Sequence, residues 1–439
     1  MFKETSKELL EFLSKSPTAF HAVENYRQIL NADGFKELLE SEHWDIVPGG
    51  KYYVTRNNTS ILAFKVGTKL DNYSFNIVTS HTDSPTFKVK ENAEIEVKNK
   101  YTQLNTEGYG GMLCATWLDR PLSIAGRVLV SEGNSIVTKL LNIDRDLLMI
   151  PNVAIHMNRA ANDGFKYNLQ VDMLPLLSGG DDRQKDFKQI IADELGVKKE
   201  DILGHDLYLY NRMAPSIWGA NEEFISAGHL DDLQCGFASL KALLAGYNDE
   251  SIDIMACFDN EEVGSGTKQG ADSTLLRDTL IRINNALGKT EEDYHRALAS
   301  SFMLSADNAH AVHPNHPEHT DVTNCTYMNE GVVVKSHAGQ KYTSDGVSMA
   351  VVKSLASGAD VPLQYFANRS DKAGGSTLGN IAMAQASMNA VDIGLPQLAM
   401  HSSYETAGIK DTYYAISLMK ALFDSHIQET STHSLEIKR

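Results

Sequence analysis

The chain has 439 residues, of which 42% are hydrophobic and 22% charged, so it is long enough for more than one packed core and is not disordered in character. Its 40 basic and 57 acidic side chains give a formal charge of −17, which excludes the basic surface that nucleic acid or anionic membrane requires, and we expect neither as a partner. The four cysteines form no CxxC pair, which predicts reduced thiols in a cytoplasmic protein rather than a thiolate metal site.

Two helices are predicted at the start of the chain. The first covers residues 5 to 14 and has an amphipathic pattern, without the basic start and cleavage site of a signal peptide. The second begins after Ser16 and Pro17 and ends near Gly34. No stretch approaches the roughly 20 apolar residues of a membrane-spanning helix.

A hairpin and a buried strand follow. Residues 51 to 56 and 60 to 66 have strand composition and flank Asn57 and Asn58, which are typical of a tight turn. The apolar run from Phe75 to Ser80 is predicted to be a buried strand that ends just before a histidine.

The hydrophobic periodicity and the composition of the sequence change between about residues 91 and 225. Period-two segments such as IEVKNK, LSIAGRVLV and DLYLYN alternate with Gly and Asn. We therefore predict an inserted, β-rich second domain over residues 91–225, with a dimerisation role that follows from the resemblance given below.

Strand and helix alternation resumes after the insertion. A helix is predicted over FASLKALLAGY, and strands over IDIMACF, SFMLSA, DVPLQYF and PQLAM. Such alternation is typical of a mostly parallel sheet. The predicted fold class is α/β, in which residues 1–90 and 226–439 form a mostly parallel central sheet flanked by helices.

Five short motifs carry side chains that can bind a metal ion, and each follows a buried-looking run. In an open α/β sheet the ligand crevice lies at the carboxyl ends of the strands, so these side chains are expected to meet there. Zinc or a similar divalent ion accepts such a mixture of imidazole and carboxylate groups. The candidate residues are His81 and Asp83, Asp231, the pair Glu261 and Glu262, Asp307, and His401.

Two of these motifs contain chemistry that can be argued locally. Asp83, two residues after His81, can accept the second ring proton of that histidine and so set its tautomer for metal binding. Adjacent Glu261 and Glu262 repel each other unless cations are near, and they point apart, so one can bind metal while the other holds a water.

The remaining motifs have simpler alternatives. Asp231 precedes a predicted helix and could be a helix cap, Asp307 could be a turn residue, and His401 could be a core histidine. The histidines at every third position from His310 to His319 could bind a further metal, but Pro314 and Pro317 break any helix that would align them. We expect a loop near the active site there.

Ordered motifs along nearly the whole chain resemble the aspartyl aminopeptidase family, whose members are dinuclear-metal aminopeptidases that form tetrahedral dodecamers. The resemblance is carried by LLEFLSKSPTAFHAV, GGKYYVTRNNTSILAF, IPNVAIHMNR, SADNAHAVHPN, VVVKSHAGQKY, GGSTLG and VDIGLPQLAMHS. It implies hydrolysis of the N-terminal residue, preferably Asp or Glu, from small peptides with a free N-terminus.

The resemblance also implies a role for each site residue. His81, Asp231 and Asp307 would hold one divalent ion, and Asp231, Glu262 and His401 the other, with Glu261 as general base. Asp83, as the acceptor for His81, is counted with Glu261 as a catalytic residue. The ions would be zinc, with manganese or cobalt as alternatives. The inserted domain would build dimers, and the dimers a closed twelve-subunit shell.

Four further positions match substrate contacts of that family: His156, His310, Lys335 and Tyr342. His156 would reach the active site of a neighbouring subunit. Lys335, a cation lining the pocket, would select an acidic N-terminal side chain. The alternative to that contact is an exposed lysine at a strand edge.

Two other functions remain open. One is a broader aminopeptidase that prefers neutral residues, or a related two-metal hydrolase such as a deacylase. The other is a non-catalytic assembly or cargo protein, which would be expected to lose Glu261 or a metal ligand; this chain has lost none.

Overall fold

The computed structural model describes residues 1–439, and two of its nine helices precede residue 33 while the other seven follow residue 186. The helices are α1 (Phe2–Ser14), α2 (Ala19–Ala32), α3 (Phe187–Leu195), α4 (Leu230–Ala245), α5 (Leu275–Ala286), α6 (Glu291–Ala299), α7 (Gly346–Gly358), α8 (Leu378–Gln385) and α9 (Asp411–Phe423). None of them is long and apolar enough to cross a membrane.

The strands form a central sheet, a six-stranded sheet, a five-stranded sheet and a C-terminal hairpin. They are β1 (Lys36–Leu38), β2 (Lys51–Arg56), β3 (Ser60–Val66), β4 (Ser74–His81), β5 (Thr86–Val97), β6 (Tyr101–Tyr109), β7 (Leu122–Glu132), β8 (Ser135–Asn142), β9 (Leu176–Gly179), β10 (Ile202–Asn211), β11 (Ser216–Trp218), β12 (Phe224–Ala227), β13 (Ser251–Phe258), β14 (Phe302–Ala306), β15 (Ala309–His310), β16 (Val332–Lys335), β17 (Leu363–Phe366), β18 (Asn389–Gly394), β19 (Pro396–Leu398), β20 (Glu405–Gly408), β21 (His426–Ser431) and β22 (Ser434–Lys438).

The central sheet has nine strands in the order β1-β2-β3-β13-β4-β14-β18-β16-β17. Its middle strands β13, β4, β14 and β18 are mutually parallel, whereas β3 and β16 join them as antiparallel neighbours. The predicted α/β class with a mostly parallel central sheet is therefore confirmed.

Both faces of this sheet are covered, as the apolar runs in its strands require. Ile61 and Ala63 of β3 belong to one core, packed under helices that include α1, α4 and α9. The alternate residues Leu62 and Phe64 belong to a second core under α5, α6 and α8. The two cores follow from the period-two alternation of a strand.

The predicted hairpin and most predicted elements occur close to their expected positions. Asn57 and Asn58, between β2 and β3, both have positive φ angles, as a tight hairpin turn requires. The central sheet also contains three strands that were not predicted, β1, β16 and β18. One strand was assigned to the wrong sheet: PQLAM contains β19, which lies in the five-stranded sheet because it pairs with β20 and β15.

The six-stranded sheet is antiparallel throughout, in the order β8-β7-β10-β5-β6-β9, and has its own core. Its strands run from Thr86 to Asn211. The next strands belong to the five-stranded sheet, in which β11 pairs with β12 and β12 pairs with β20. The division of the chain at residues 90/91 and 225/226 stays a prediction.

Candidate active site

Three of the five motifs meet because their strands are neighbours in the central sheet. His81 is the last residue of β4, and Asp307 directly follows β14. The Glu261 and Glu262 pair follows β13 after two residues. Since β13, β4 and β14 are parallel and adjacent, their carboxyl ends lie side by side at one edge of the sheet.

The other two motifs reach this edge from a different sheet. Asp231 lies at the start of α4, which follows β12 of the five-stranded sheet, and its backbone is not helical. His401 follows β19 of that sheet and has a left-handed backbone with φ of 66°. The expectation that all five motifs end strands of one sheet is thus corrected to three.

The side chains converge into two triplets that share one residue. His81, Asp231 and Asp307 form one triplet, and Asp231, Glu262 and His401 form the other, with the potential ligand atoms of each triplet within 4.8 Å of one another. His81 and Glu262 also lie within that distance of Glu261. The position of Asp231 between the triplets is what a residue that bridges two ions requires.

The buried histidine and the shared aspartate are in direct contact. His81 Nε2 lies 3.4 Å from Asp231 Oδ1, and His401 Nε2 lies 3.6 Å from Asp231 Oδ2 and 3.4 Å from Glu262 Oε2. The second ring nitrogens bind backbone: Nδ1 of His81 contacts the carbonyl oxygen of Asp83 at 3.0 Å, and that of His401 contacts Gly111 at 2.9 Å. Both Nε2 atoms therefore point into the cluster.

Asp83 supports the acidic turn more directly than it supports His81. Its carboxylate lies 3.4 Å from Nδ1 of His81, farther away than its own carbonyl oxygen. The same carboxylate accepts the backbone N–H groups of Glu261 and Glu262, each at 3.2 Å. Asp83 thus contributes to the site mainly by fixing the turn that carries both glutamates.

Two supporting residues were not identified from the sequence. The buried carboxylate of Glu405 accepts the backbone N–H of Asp231 at 3.0 Å and that of His401 at 2.8 Å. The hydroxyl of Tyr109 donates to Asp83 at 2.6 Å. The sequence contains one signal for Glu405, which is its position four residues after His401 in MHSSYE. Nothing in the local sequence distinguishes Tyr109 from other strand tyrosines.

The electrostatics of the cluster are those of crowded, buried acids. Burial raises the pKa of Glu261 to about 8, with the nearby carboxylates of Asp307, Asp83 and Asp231 adding to the shift. Burial and the carboxylate of Asp231 raise the pKa of Glu262 well above its usual range. Burial likewise raises the pKa of Asp307. Without cations these three acids therefore keep their protons to a higher pH than ordinary carboxyl groups do.

The pKa of the central histidine is also raised, but for His81 the neighbouring carboxylates are the cause. Burial alone would lower the pKa of His81, but the adjacent carboxylates of Asp231 and Asp83 outweigh burial and raise it well above its usual value. For Asp231, burial is outweighed by His81 and by the cations around it, so its pKa is lowered. The cluster holds an ion pair where the triplets meet.

The donor set fits divalent metal ions. Oε1 of Glu262 is a buried oxygen atom without a hydrogen-bond partner, which is costly unless a cation satisfies it, and Oδ1 of Asp231 has only the 3.4 Å contact with Nε2 of His81. The cavity at this site is lined by one lysine and no arginine, against four carboxylates. Two imidazoles with these carboxylates match the preferences of zinc, and manganese or cobalt suit the same atoms.

A cavity of about 200 Å³ opens at the cluster. His310, Lys335 and Tyr342, three of the four expected substrate contacts, line it together with the ligand triplets. Lys335 is buried, and its ammonium donates to the carbonyl oxygen of Asn308 at 2.8 Å and lies 3.8 Å from Asp307. It is not the exposed edge lysine of the alternative interpretation.

His156 does not line this cavity. It lies in a turn after β8, in the region of the six-stranded sheet, with its side chain exposed. The structure of one subunit therefore does not bring it to the other predicted site residues.

The exposed histidine run contains no α-helix that would align its four histidines, in line with the predicted loop. It does contain a 3-10 turn, Pro317–His319. At this turn His316, Glu318 and His319 offer ligand atoms within 4.8 Å of one another. All three side chains are exposed to solvent.

Zinc binding is expected to release protons. His81, Glu262 and Asp307 have raised pKa values in the cation-free site, and each must lose its proton to bind a metal. The metal-free form is favoured at low pH, so the apparent affinity should rise with pH by roughly tenfold per unit for each proton released. Calorimetry in two buffers of different ionisation enthalpy measures this release, and a buffer-independent heat would contradict it.

Comparison with known proteins identifies relatives over almost the full length. The family model for "Aminopeptidase I zinc metalloprotease (M18)" matches residues 12–423. The "Probable M18 family aminopeptidase 2" of Clostridium novyi (strain NT) is 47% identical over 425 residues, which are 95% of this chain and 98% of that protein.

Solved structures agree with the sequence comparison. The cryo-EM structure of the Ape4 and Nbr1 complex contains a chain that is 35% identical, with a TM-score of 0.93, and the match covers 96% of this chain and 86% of that one. The S. cerevisiae mApe1 dodecamer is 28% identical, with a TM-score of 0.84 and coverages of 96% and 97%.

Proposed function

The chain belongs to the M18 family of zinc aminopeptidases, which are peptide hydrolases, and from this premise we propose that it removes N-terminal Asp or Glu residues from peptides with the help of two metal ions per subunit. The observation that carries the proposal is the position of Asp231, which is buried and lies in both ligand triplets.

The two triplets would hold the ions. His81, Asp231 and Asp307 would bind one, and Asp231, Glu262 and His401 would bind the other. When bound, a pair of divalent ions supplies an acidified water and a Lewis acid for the scissile carbonyl.

Glu261 is the general base in this proposal. It would take the proton from the attacking water and return it to the leaving amine. Its environment suits this task, because burial raises the pKa of its carboxyl to about 8 in the absence of cations, and bound cations oppose that shift. The N–H···Asp83 hydrogen bond of Glu261 fixes its backbone.

The cavity supports the proposed selectivity for a free N-terminus. Its carboxylates attract the ammonium group of a peptide, and its volume of about 200 Å³ accommodates one terminal residue. Lys335 would then contact the carboxylate of an acidic terminal side chain. Its pKa is raised, because Asp307 and other acidic groups outweigh the effect of burial, so it remains a cation.

Assembly is proposed from the relatives and from the exposed apolar side chains of the six-stranded sheet region. The mApe1 relative is a dodecamer. In this chain Val153, Ile155, Met157 and Val171 are 48 to 84% exposed, which favours burial against another subunit through this region. Dimers formed there would build the dodecamer, and His156 would reach a neighbouring site. A cytoplasmic location is supported by four unpaired cysteines.

A peptide panel tests the proposed activity. Purified protein is incubated with peptides that begin with Asp, Glu, Leu, Lys or a blocked residue, with and without a chelator. Chelator-sensitive release confined to free Asp or Glu is the expected result. Equal release of Leu would favour the broader aminopeptidase, and no release after reloading with zinc, manganese or cobalt would favour the assembly protein.

Lys335→Met tests the specificity. The substitution keeps the length of the side chain and removes its charge, so we expect the ratio of kcat/KM for Asp to Leu peptides to fall roughly 10- to 100-fold, the size of one charged hydrogen bond. Lys341→Met is the matched control, since Lys341 is exposed and its ammonium makes one hydrogen bond, to the carbonyl oxygen of Gly374. An equal loss for both peptides would assign Lys335 a structural role.

A further inference from the structure

Residues 109–113 leave the end of β6 in the six-stranded sheet and pass along the candidate metal site, and we call them the orienting segment. The segment contacts three different parts of the site, although none of its residues belongs to either ligand triplet.

The first contact holds the acidic turn. The Tyr109 hydroxyl donates to Oδ2 of Asp83 at 2.6 Å and accepts from Nδ2 of Asn260 at 2.8 Å. Asp83 in turn accepts the N–H groups of Glu261 and Glu262. Through Asp83 and Asn260, Tyr109 therefore helps to fix the turn that carries the proposed base and one predicted metal ligand.

The second contact holds His401. Gly111 accepts the Nδ1–H of His401 at 2.9 Å through its carbonyl oxygen, and the N–H of Leu113 donates to the carbonyl oxygen of His401 at 2.9 Å. A hydrogen bond of this kind on the second ring nitrogen sets the tautomer and leaves Nε2 free for a metal. The contacts also support the left-handed backbone of His401, which costs free energy for a residue other than glycine.

The third contact is steric. Gly110 has a φ of +73°, and a Cβ atom there would lie 3.1 Å from Cβ of Glu262 and 3.3 Å from Cα of Pro85. The segment thus packs directly against the Glu262 side chain, with no room for a larger residue.

We propose that the orienting segment aligns Glu262 and His401 for the metal they share, with Tyr109 as a positioning residue. The six-stranded sheet of each subunit is then part of the support of its own catalytic centre, in addition to any role in assembly. This inference rests on the proposed two-metal function.

Tyr109→Phe tests the proposal in the full-length protein loaded with zinc or cobalt. The variant keeps the ring and removes the hydroxyl that binds Asp83. We expect zinc to be lost to a competing chelator roughly 10- to 100-fold more readily and kcat to fall by a similar factor, because partners of ligands have effects of that size. KM should change less than about twofold, since the substrate contacts remain. The visible absorption of the cobalt-loaded protein should also change.

Tyr208→Phe is the matched control. Tyr208 lies on β10, with its ring centroid 5.8 Å from that of Tyr109. Both tyrosines line a second cavity, which is separate from the cavity at the ligand triplets. It makes no side-chain hydrogen bond to the acidic turn. If Tyr109→Phe matches Tyr208→Phe in zinc affinity and cobalt spectrum, the proposal is wrong.

A glycine pair provides a second, independent comparison. Gly110→Ala should weaken zinc binding and alter the cobalt spectrum, whereas Gly133→Ala, which has a similar φ of +64° but open space around it, should leave both unchanged. Equal zinc affinity and equal cobalt spectra in the two alanine variants would contradict the proposed steric contact between Gly110 and Glu262. These readouts do not depend on the peptide cleaved, so a failure of the Asp or Glu preference is distinguishable from a failure of the orienting segment.

Discussion

Replacing Glu261 with glutamine is expected to lower kcat by roughly 10²- to 10⁴-fold, which is the usual contribution of a general base. Glutamine keeps the shape of the side chain but cannot take a proton from water. The zinc content should remain that of the unmodified protein, because Glu261 belongs to neither of the two triplets that share Asp231. Steady-state kinetics on an Asp peptide, together with elemental analysis of the same sample, measure both quantities.

The metal content decides between two roles for this residue. Glu261 also lies within 4.8 Å of His81 and Glu262, so geometry alone allows it to be a ligand. Glu262→Gln is the matched control, since it removes a predicted ligand at the adjacent position and should reduce the zinc content. A loss of zinc in Glu261→Gln as large as in Glu262→Gln would contradict the assignment of Glu261 as base.

Asp231→Asn is expected to remove both metal ions and to abolish peptide hydrolysis. Each triplet uses one oxygen of this carboxylate, so a neutral amide weakens both sites at once. A substitution in one triplet alone, such as Asp307→Asn, should leave one ion tightly bound. Zinc per subunit after dialysis is the measurement, and retention of one ion in Asp231→Asn would show that the residue does not bridge.

Asp232→Asn is the control for this substitution. Asp232 is adjacent in the chain and fully buried, but it belongs to neither triplet. Burial raises the pKa of its carboxyl well above the usual range, and Oδ2 accepts the backbone N–H of His81 at 3.2 Å, a hydrogen bond that the amide oxygen of asparagine can also accept. The variant should keep its zinc, which separates loss of the bridge from a general disturbance of this turn.

Much of the fold could be predicted because its signals are local. The apolar runs that became β4, β13 and β14 are each followed at once by acidic or histidine residues, and parallel strands place such residues at one edge. The hairpin at Asn57 and Asn58 was equally clear, since few residues accept positive φ angles. By contrast, β19 was placed in the wrong sheet, because a short apolar strand does not indicate its pairing partner.

The supporting residues of the site could not be predicted in the same way. Glu405, Tyr109 and Gly111 act through hydrogen bonds to residues that are distant in the chain, or through a backbone carbonyl oxygen that carries no sequence signal. The position of Lys335 was uncertain for a related reason. An isolated lysine after three valines is as typical of an exposed strand end as of a buried cation beside Asp307.

The sequence by itself therefore determined the α/β class, the metallo-aminopeptidase family and the identity of the residues that can bind metal, because these depend on local periodicity and on short ordered motifs. Only the tertiary structure decided that Glu405 supports the backbone of Asp231, that Asp83 holds the glutamate turn, and that Gly111 contacts His401. These arrangements depend on contacts between three sheets, and the free energy of such contacts is a property of the packed chain rather than of any segment.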